Sequence, residues 1–442
     1  MLKCMRSHLK TALVCTLAAG AALSFSTGVE AKEVKTQDSS FRTVTAIEDW
    51  GPAITKIIVD LGRPVPVNSV TADTFNVHVE RNDYRLANPF LEEGNRTVTN
   101  AYVADKDGNP AVQTGKYVVL EMPIGPTLSL GSPMNYNFKT GFNAWNESKY
   151  RITQQKDILT PAGKVSGLVV NTFKGGVREL VDDFSTGQAT FDGKTLTYAD
   201  FAPAKDNHKN PLIIWLHGAG EGGTDATVPI SANKAANFAS EEMQAYFDGA
   251  YVLAPQTPTF WMDGLKGFGD GTSKYETALM GLIKDYIAKN KDIDPNRVYI
   301  GGDSNGGYMT MLMIRDYPEY FAAAMPTCEA LSDKLISDED IQKMKDLPIW
   351  FVAAKTDTTV PVDQYVEPTY KRLIQAGAED VHFSLFDKVV DTSGLYKNAD
   401  GTPYEYPGHW SWIYVYNNKV SKEINGQTTT LMEWLAGQSL AK

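Results

Sequence analysis

The chain is poor in cysteine: three among 442 residues, at Cys4, Cys15 and Cys328. Two of these lie in a leader that export would remove, so an intramolecular disulfide framework is excluded. Cys328, in M-P-T-C-E after an alanine-rich stretch, reads as a buried structural thiol. Long apolar runs are also scarce. The run from Thr11 to Phe25 is too short to span a bilayer, and no later segment is long and apolar enough to do so. Lys3, Arg6 and Lys10 precede that run, and Val29-Glu30-Ala31 follows it with small residues at the cleavage positions. Residues 1–31 therefore read as a signal peptide, and the mature chain as secreted, extracellular or periplasmic. Positive charge is in deficit, with 42 Lys and Arg against 53 Asp and Glu, a formal charge of −11. Loss of the leader removes three bases and one acid, and the balance becomes more negative still. Such a surface argues against nucleic acid or an anionic membrane as the natural partner. Internal repeats and low-complexity tracts are missing, which excludes a solenoid.

What remains is too long for one ordinary core, and the pattern changes midway. Residues 32–171 carry short alternating runs, such as Thr74 to Val79 and Tyr117 to Met122, separated by turn clusters with hardly a helical period. This predicts a β-sandwich of immunoglobulin-like size. Asp105-Lys106-Asp107-Gly108-Asn109 starts like a calcium loop but lacks the later ligands, and a hairpin turn is the better reading. The region is expected to help shape a neighbouring cleft at most. Residues 172–442 instead alternate apolar runs (Pro211 to Leu216, Ala250 to Ala254, Pro348 to Ala354, Val381 to Phe386) with helical stretches such as Glu276 to Asn290. That alternation predicts an α/β domain, a mostly parallel sheet with helices on both faces.

The second region is organised around Asp294 to Met309, D-P-N-R-V-Y-I-G-G-D-S-N-G-G-Y-M. A buried strand, then G-x-S-x-G, then a helix former is the layout of a nucleophile elbow, which lifts the Ser304 hydroxyl clear of the sheet beside a helix N-terminus. A serine nucleophile needs a base and a carboxylate to orient that base. The chain has six histidines. His8 leaves with the leader, His78 is in the other domain, His382 lies within a strand, His208 is at the wrong end of the sheet, and His217 opens a glycine turn. His409, in the loop Y-P-G-H-W-S-W after the last strand, is the base by elimination. Asp357, just past the Pro348 strand in K-T-D-T-T-V-P, is the expected acid, with Asp363, Asp387 and Asp391 as rivals. The order Ser, Asp, His is that of α/β-hydrolases. The turn His217-Gly218-Ala219-Gly220-Glu221-Gly222-Gly223 can aim backbone N–H groups at an oxyanion. Ala219 is the first choice of donor and Gly220 the second, with Asn305 supplying the other N–H. Trp261, Trp410 and Trp412 are candidates to wall the pocket.

The segments L-H-G-A-G-E, T-F-W-M-D-G, the elbow, K-T-D-T-T-V-P and G-H-W-S-W-I-Y resemble the two-domain bacterial carboxylesterases of the EstA type. They are similar, more loosely, to poly(3-hydroxybutyrate) depolymerase-like and feruloyl esterases. The resemblance implies an α/β-hydrolase behind an Ig-like domain, Ser304, Asp357 and His409 as the triad, and a small-molecule or polymeric ester as substrate. No metal or cofactor is required. Short-chain acyl or aryl esters suit the aromatic residues, and polyesters stay open, as does the oligomeric state. A serine peptidase, or a binding module that has lost its chemistry, are the rival expectations.

Overall fold

A computed structural model describes residues 39–440 of the chain. The expected signal peptide lies outside the described residues.

The first region is a sandwich of a five-stranded and a four-stranded sheet. Strand Ser40–Glu48 alternates buried and half-buried residues along its length, the period-2 signature of a sheet with one face on a core. Ile57, Val59, Val118 and Leu120 of one sheet meet Val77, Val79, Tyr150 and Ile152 of the other, all buried. The Asp105 segment is a tight turn, in which the carboxylate accepts the N–H groups of Asp107 and Asn109. One edge of the five-stranded sheet is Phe173–Arg178, which pairs in parallel with Ser40–Glu48. That strand lies beyond residue 171, and we propose that the junction between the domains follows Arg178.

The second region is built on one eight-stranded sheet. Its strands run, in spatial order, Ser185–Phe191, Lys194–Phe201, Tyr251–Gln256, Asn210–Leu216, Ile293–Asp303, Ala323–Thr327, Ile349–Ala354 and Val381–Phe386. The last six are parallel, and the first two form an antiparallel hairpin at the edge. The expected mostly parallel sheet is thus present, and the edge hairpin adds to it. Strand Asn210–Leu216 is buried throughout because both faces are covered, which is why its sequence is a continuous apolar run. Leu212, Ile214 and Leu216 face a core shared with helices Glu276–Lys289 and Asn305–Asp316. Ile213 and Trp215 face a second core, shared with Trp412–Tyr416 and Leu431–Ala436. Ligand sites in such sheets gather at the carboxyl ends of the strands.

Candidate active site

Ser304 is the one residue between strand Ile293–Asp303 and helix Asn305–Asp316, and it sits at φ 54°, ψ −112°. A non-glycine residue there stores about 1–3 kcal/mol of backbone strain, held by its surroundings. The glycines of the motif have a visible reason. A Cβ on Gly306 would lie 1.9 Å from the Leu216 carbonyl oxygen, and one on Gly302 would lie 2.5 Å from the same atom. The elbow is pressed against the end of the neighbouring strand, with no room for a methyl group. Gly306→Ala is therefore expected to lower the unfolding free energy by about 4 kcal/mol or more, read from urea denaturation.

The three side chains singled out above come together, although 105 and 52 residues separate the histidine from its two partners. His409 Nε2 lies 2.9 Å from Ser304 Oγ, and His409 Nδ1 lies 2.8 Å from Asp357 Oδ2. Asp357 Oδ1 accepts the backbone N–H groups of Thr359 and Val360, both at 2.9 Å, which fixes the plane of the buried carboxylate. The Trp412 ring stands edge-on to the imidazole, with centroids 5.5 Å apart. Asp363, Asp387 and Asp391 take no part, and Asp387 pairs with Lys355 instead. Two of the other histidines have structural partners: His382 bonds Asp380 beside Trp434, and His78 pairs with Glu93 on the sandwich.

The glycine turn faces Ser304 across the cleft. Ala219 opens the short 3-10 turn Ala219–Glu221, and Asn305 opens the helix behind the serine. The first N–H groups of such segments lack acceptors within them. His217 anchors the turn. Its Nε2 accepts the Thr257 N–H, so Nδ1 carries the proton and donates to the Gly218 carbonyl at 2.6 Å. Burial pushes its pKa down to about 4, so the ring stays neutral. Gln256 Nε2 donates to the Glu221 carbonyl, and the Gly223 N–H to the Thr257 carbonyl.

A cavity of about 600 Å³ opens above Ser304 and His409. From the second domain Met262, Leu265, Phe268, Trp410 and Trp412 line it. Trp261 does not: it is fully buried beneath the cleft, and its backbone N–H donates to Asn305 Oδ1 at 2.7 Å. The correction has a simple cause. The loop turns its Trp261 ring into the core against His217 and Tyr275 and leaves Met262 at the surface of the cleft. The opposite wall comes from the first domain, through Trp50, Met134, Tyr136 and Asn143. Sequence reading missed these four, since nothing local marks a hairpin of one domain as the wall of another. Cys328 is buried behind the elbow, where burial holds its thiol protonated, consistent with a structural role.

Fold and site together define an α/β-hydrolase with an immunoglobulin-like domain in front of it. Residues 40–167 match the esterase Ig-like N-terminal domain. Residues 280–382, which span the elbow and the Asp357 loop, match the prolyl oligopeptidase family. A solved structure described as a thermostable esterase is similar along 90% of this chain and 99% of its own, with 26% identity and a TM-score of 0.73. Among curated proteins, poly(3-hydroxyalkanoate) depolymerase C of Paucimonas lemoignei is 31% identical over 125 residues, 26% of this chain and 27% of that protein. Feruloyl esterase B of Neurospora crassa is 30% identical over 130 residues, 28% of this chain and 40% of that protein. The chain thus spans well under half the length of these curated relatives.

Proposed function

We propose that the chain is an exported serine carboxylesterase acting on carboxylic esters of short acyl or aryl type. The observation that carries this reading is the unbroken hydrogen-bonded chain from Ser304 through His409 to Asp357, at 2.9 and 2.8 Å, opening onto a mostly apolar cleft. Ser304 Oγ attacks the ester carbonyl and its proton passes to His409 Nε2. Nδ1 keeps its proton and donates it in a hydrogen bond to Asp357 Oδ2, which steadies the imidazolium. The N–H groups of Ala219 and Asn305 receive the oxyanion, with Gly220 as the alternative donor on the turn. One such donor is worth about 10²–10³ in rate. His409 then returns the proton to the leaving alcohol, and water cleaves the acyl-enzyme by the same route. Ester chemistry is favoured by the esterase Ig-like domain and by the thermostable esterase similar along nearly the whole chain. Export rests on the basic and apolar leader.

The match to the prolyl oligopeptidase family favours one alternative, a serine peptidase using the same three groups. Purified protein assayed on p-nitrophenyl acetate and butyrate beside peptide p-nitroanilides is expected to turn over the esters far faster. The opposite order replaces the esterase reading with the peptidase. An ester panel varying acyl length and alcohol bulk, with a polyester film as its last member, then defines the substrate. In that panel Tyr136→Ala, on the wall supplied by the first domain, is expected to raise KM about 3- to 10-fold for the bulkier esters, as loss of apolar contact area predicts.

A further inference from the structure

Glu221 and Asp303 are both buried, one on the glycine turn and the other immediately before the nucleophile. Asp303 Oδ1 lies 3.2 Å from Trp215 Nε1 and 3.4 Å from the Tyr416 hydroxyl, and accepts from both. Glu221 Oε1 accepts from the Asn143 amide of the first domain at 3.1 Å. The remaining oxygens, Asp303 Oδ2 and Glu221 Oε2, are buried without a hydrogen-bond partner of standard geometry. They converge. A Cβ built on Gly218 would stand 2.8 Å from Asp303 Oδ2 and 3.0 Å from Glu221 Oε2, so both orphan oxygens press on the same face of the turn. Among the described residues no Lys or Arg pairs with either acid.

Two adjacent carboxylates cut off from water and from countercharge cannot both stay ionised. We propose that Glu221 and Asp303 share a single proton, and that this acid–carboxylate pair acts as a positioning device, locking the turn that carries the Ala219 and Gly220 N–H groups to the residue before Ser304. The assignment rests on the esterase reading for its catalytic consequence, but not for the proton itself. Burial raises the pKa of both acids, and the Asp303 charge raises that of Glu221 further. The other groups facing the pair are few. His409 acts on Asp303 in the opposite sense when charged. Tyr416 and Cys328 are themselves held protonated, by burial first and then by Asp303. His217 is neutral, and the Asn233 amide and Gly218 N–H lie beside Glu221. A side chain at Gly218 would press on both orphan oxygens and push at least one of them aside.

The sign follows from linkage. A proton bound by the folded state and released by the unfolded one stabilises the fold at low pH. That stability declines as pH rises from the ordinary carboxylate range through the raised folded values. Glu221→Gln replaces the shared proton by a permanent N–H donor and removes most of that dependence. Thermal unfolding of wild type and E221Q is compared from about pH 5 to about pH 9, alongside kcat on p-nitrophenyl butyrate. The wild-type Tm is expected to fall more steeply with pH than that of E221Q. Wild-type kcat is expected to decline at alkaline pH while E221Q, close to wild type at neutral pH, holds its rate. Glu221→Ala, which leaves the turn unlocked, is expected to lose about 10²-fold in kcat with KM little changed. Should that variant not fold, the glutamine curves decide. Parallel Tm–pH curves for wild type and E221Q overturn the shared proton, whatever the protein hydrolyses. Diverging Tm curves with no ester turnover by wild type refute the esterase reading alone. Diverging Tm curves with superimposable kcat–pH profiles overturn the positioning role.

Discussion

Ser304→Ala is expected to reduce kcat on p-nitrophenyl esters by about 10⁶-fold while leaving the fold and KM nearly unchanged. The size of the loss follows from the geometry. The Ser304 oxygen is the only heavy atom removed, and with it the imidazole loses a partner 2.9 Å away. His409→Ala is expected to cost a similar factor, because each group is useless without the other. The double variant should therefore be scarcely slower than either single one, where independent contributions would multiply. Full activity in Ser304→Ala, measured with an active-site titrant to exclude contamination, would overturn the nucleophile assignment. A wild type inert on every ester and anilide would point instead to a binding module.

Asp357→Asn should be nearly as damaging to rate, and for a reason visible in the hydrogen bonds. Oδ1 of Asp357 accepts two backbone N–H groups while Oδ2 faces His409 Nδ1. An asparagine must keep its single carbonyl oxygen on the two N–H groups, since turning it would set its own N–H against theirs. Its amide nitrogen then donates to Nδ1, which forces the imidazole proton onto Nε2, the atom that has to accept from Ser304. The base is held in the wrong tautomer, and kcat is expected to fall about 10⁴-fold. Stability should change by only about 1–2 kcal/mol, because the loop keeps its hydrogen bonds. Asp357→Ala leaves those N–H groups buried and unpaired, so it should be the less stable of the two variants by thermal denaturation. Equal activity of Asp357→Asn and wild type would remove the residue from the mechanism.

The parts of this site that were legible in the sequence are those where chemistry and chain geometry coincide. A serine between two obligatory glycines, after a run such as Val298 to Ile300 buried on both faces, leaves few other local structures. With six histidines in the chain, elimination could reach His409. The helix expected over Glu276 to Asn290 forms over Glu276–Lys289, with Leu279, Leu282, Ile283 and Tyr286 buried as its periodicity requires. Legibility stops where tertiary packing decides. The hairpin Ser185–Phe191 with Lys194–Phe201 has an edge strand that is half-exposed, and its polar, glycine-containing sequence carries no strong strand signal. Tryptophan suits ligand pockets as well as cores, and only the packing of the Trp261 ring against His217 and Tyr275 assigns it to the core. Glu221, in a turn of glycines, looks like a solvated charge until Asn143 and Gly218 are seen to enclose it.

The wall contributed by the first domain bears on how such proteins can be recombined. Asn143 reaches Glu221, and Trp145 donates from its ring nitrogen to the Thr227 hydroxyl at 2.8 Å, so the Phe142–Trp145 strand is riveted to the loops beside the nucleophile. The two halves are not interchangeable cassettes. A chimera that retained residues 179–440 but borrowed its sandwich from elsewhere would keep Ser304, His409 and Asp357 and still present a different cleft, because one wall of it would belong to the donor.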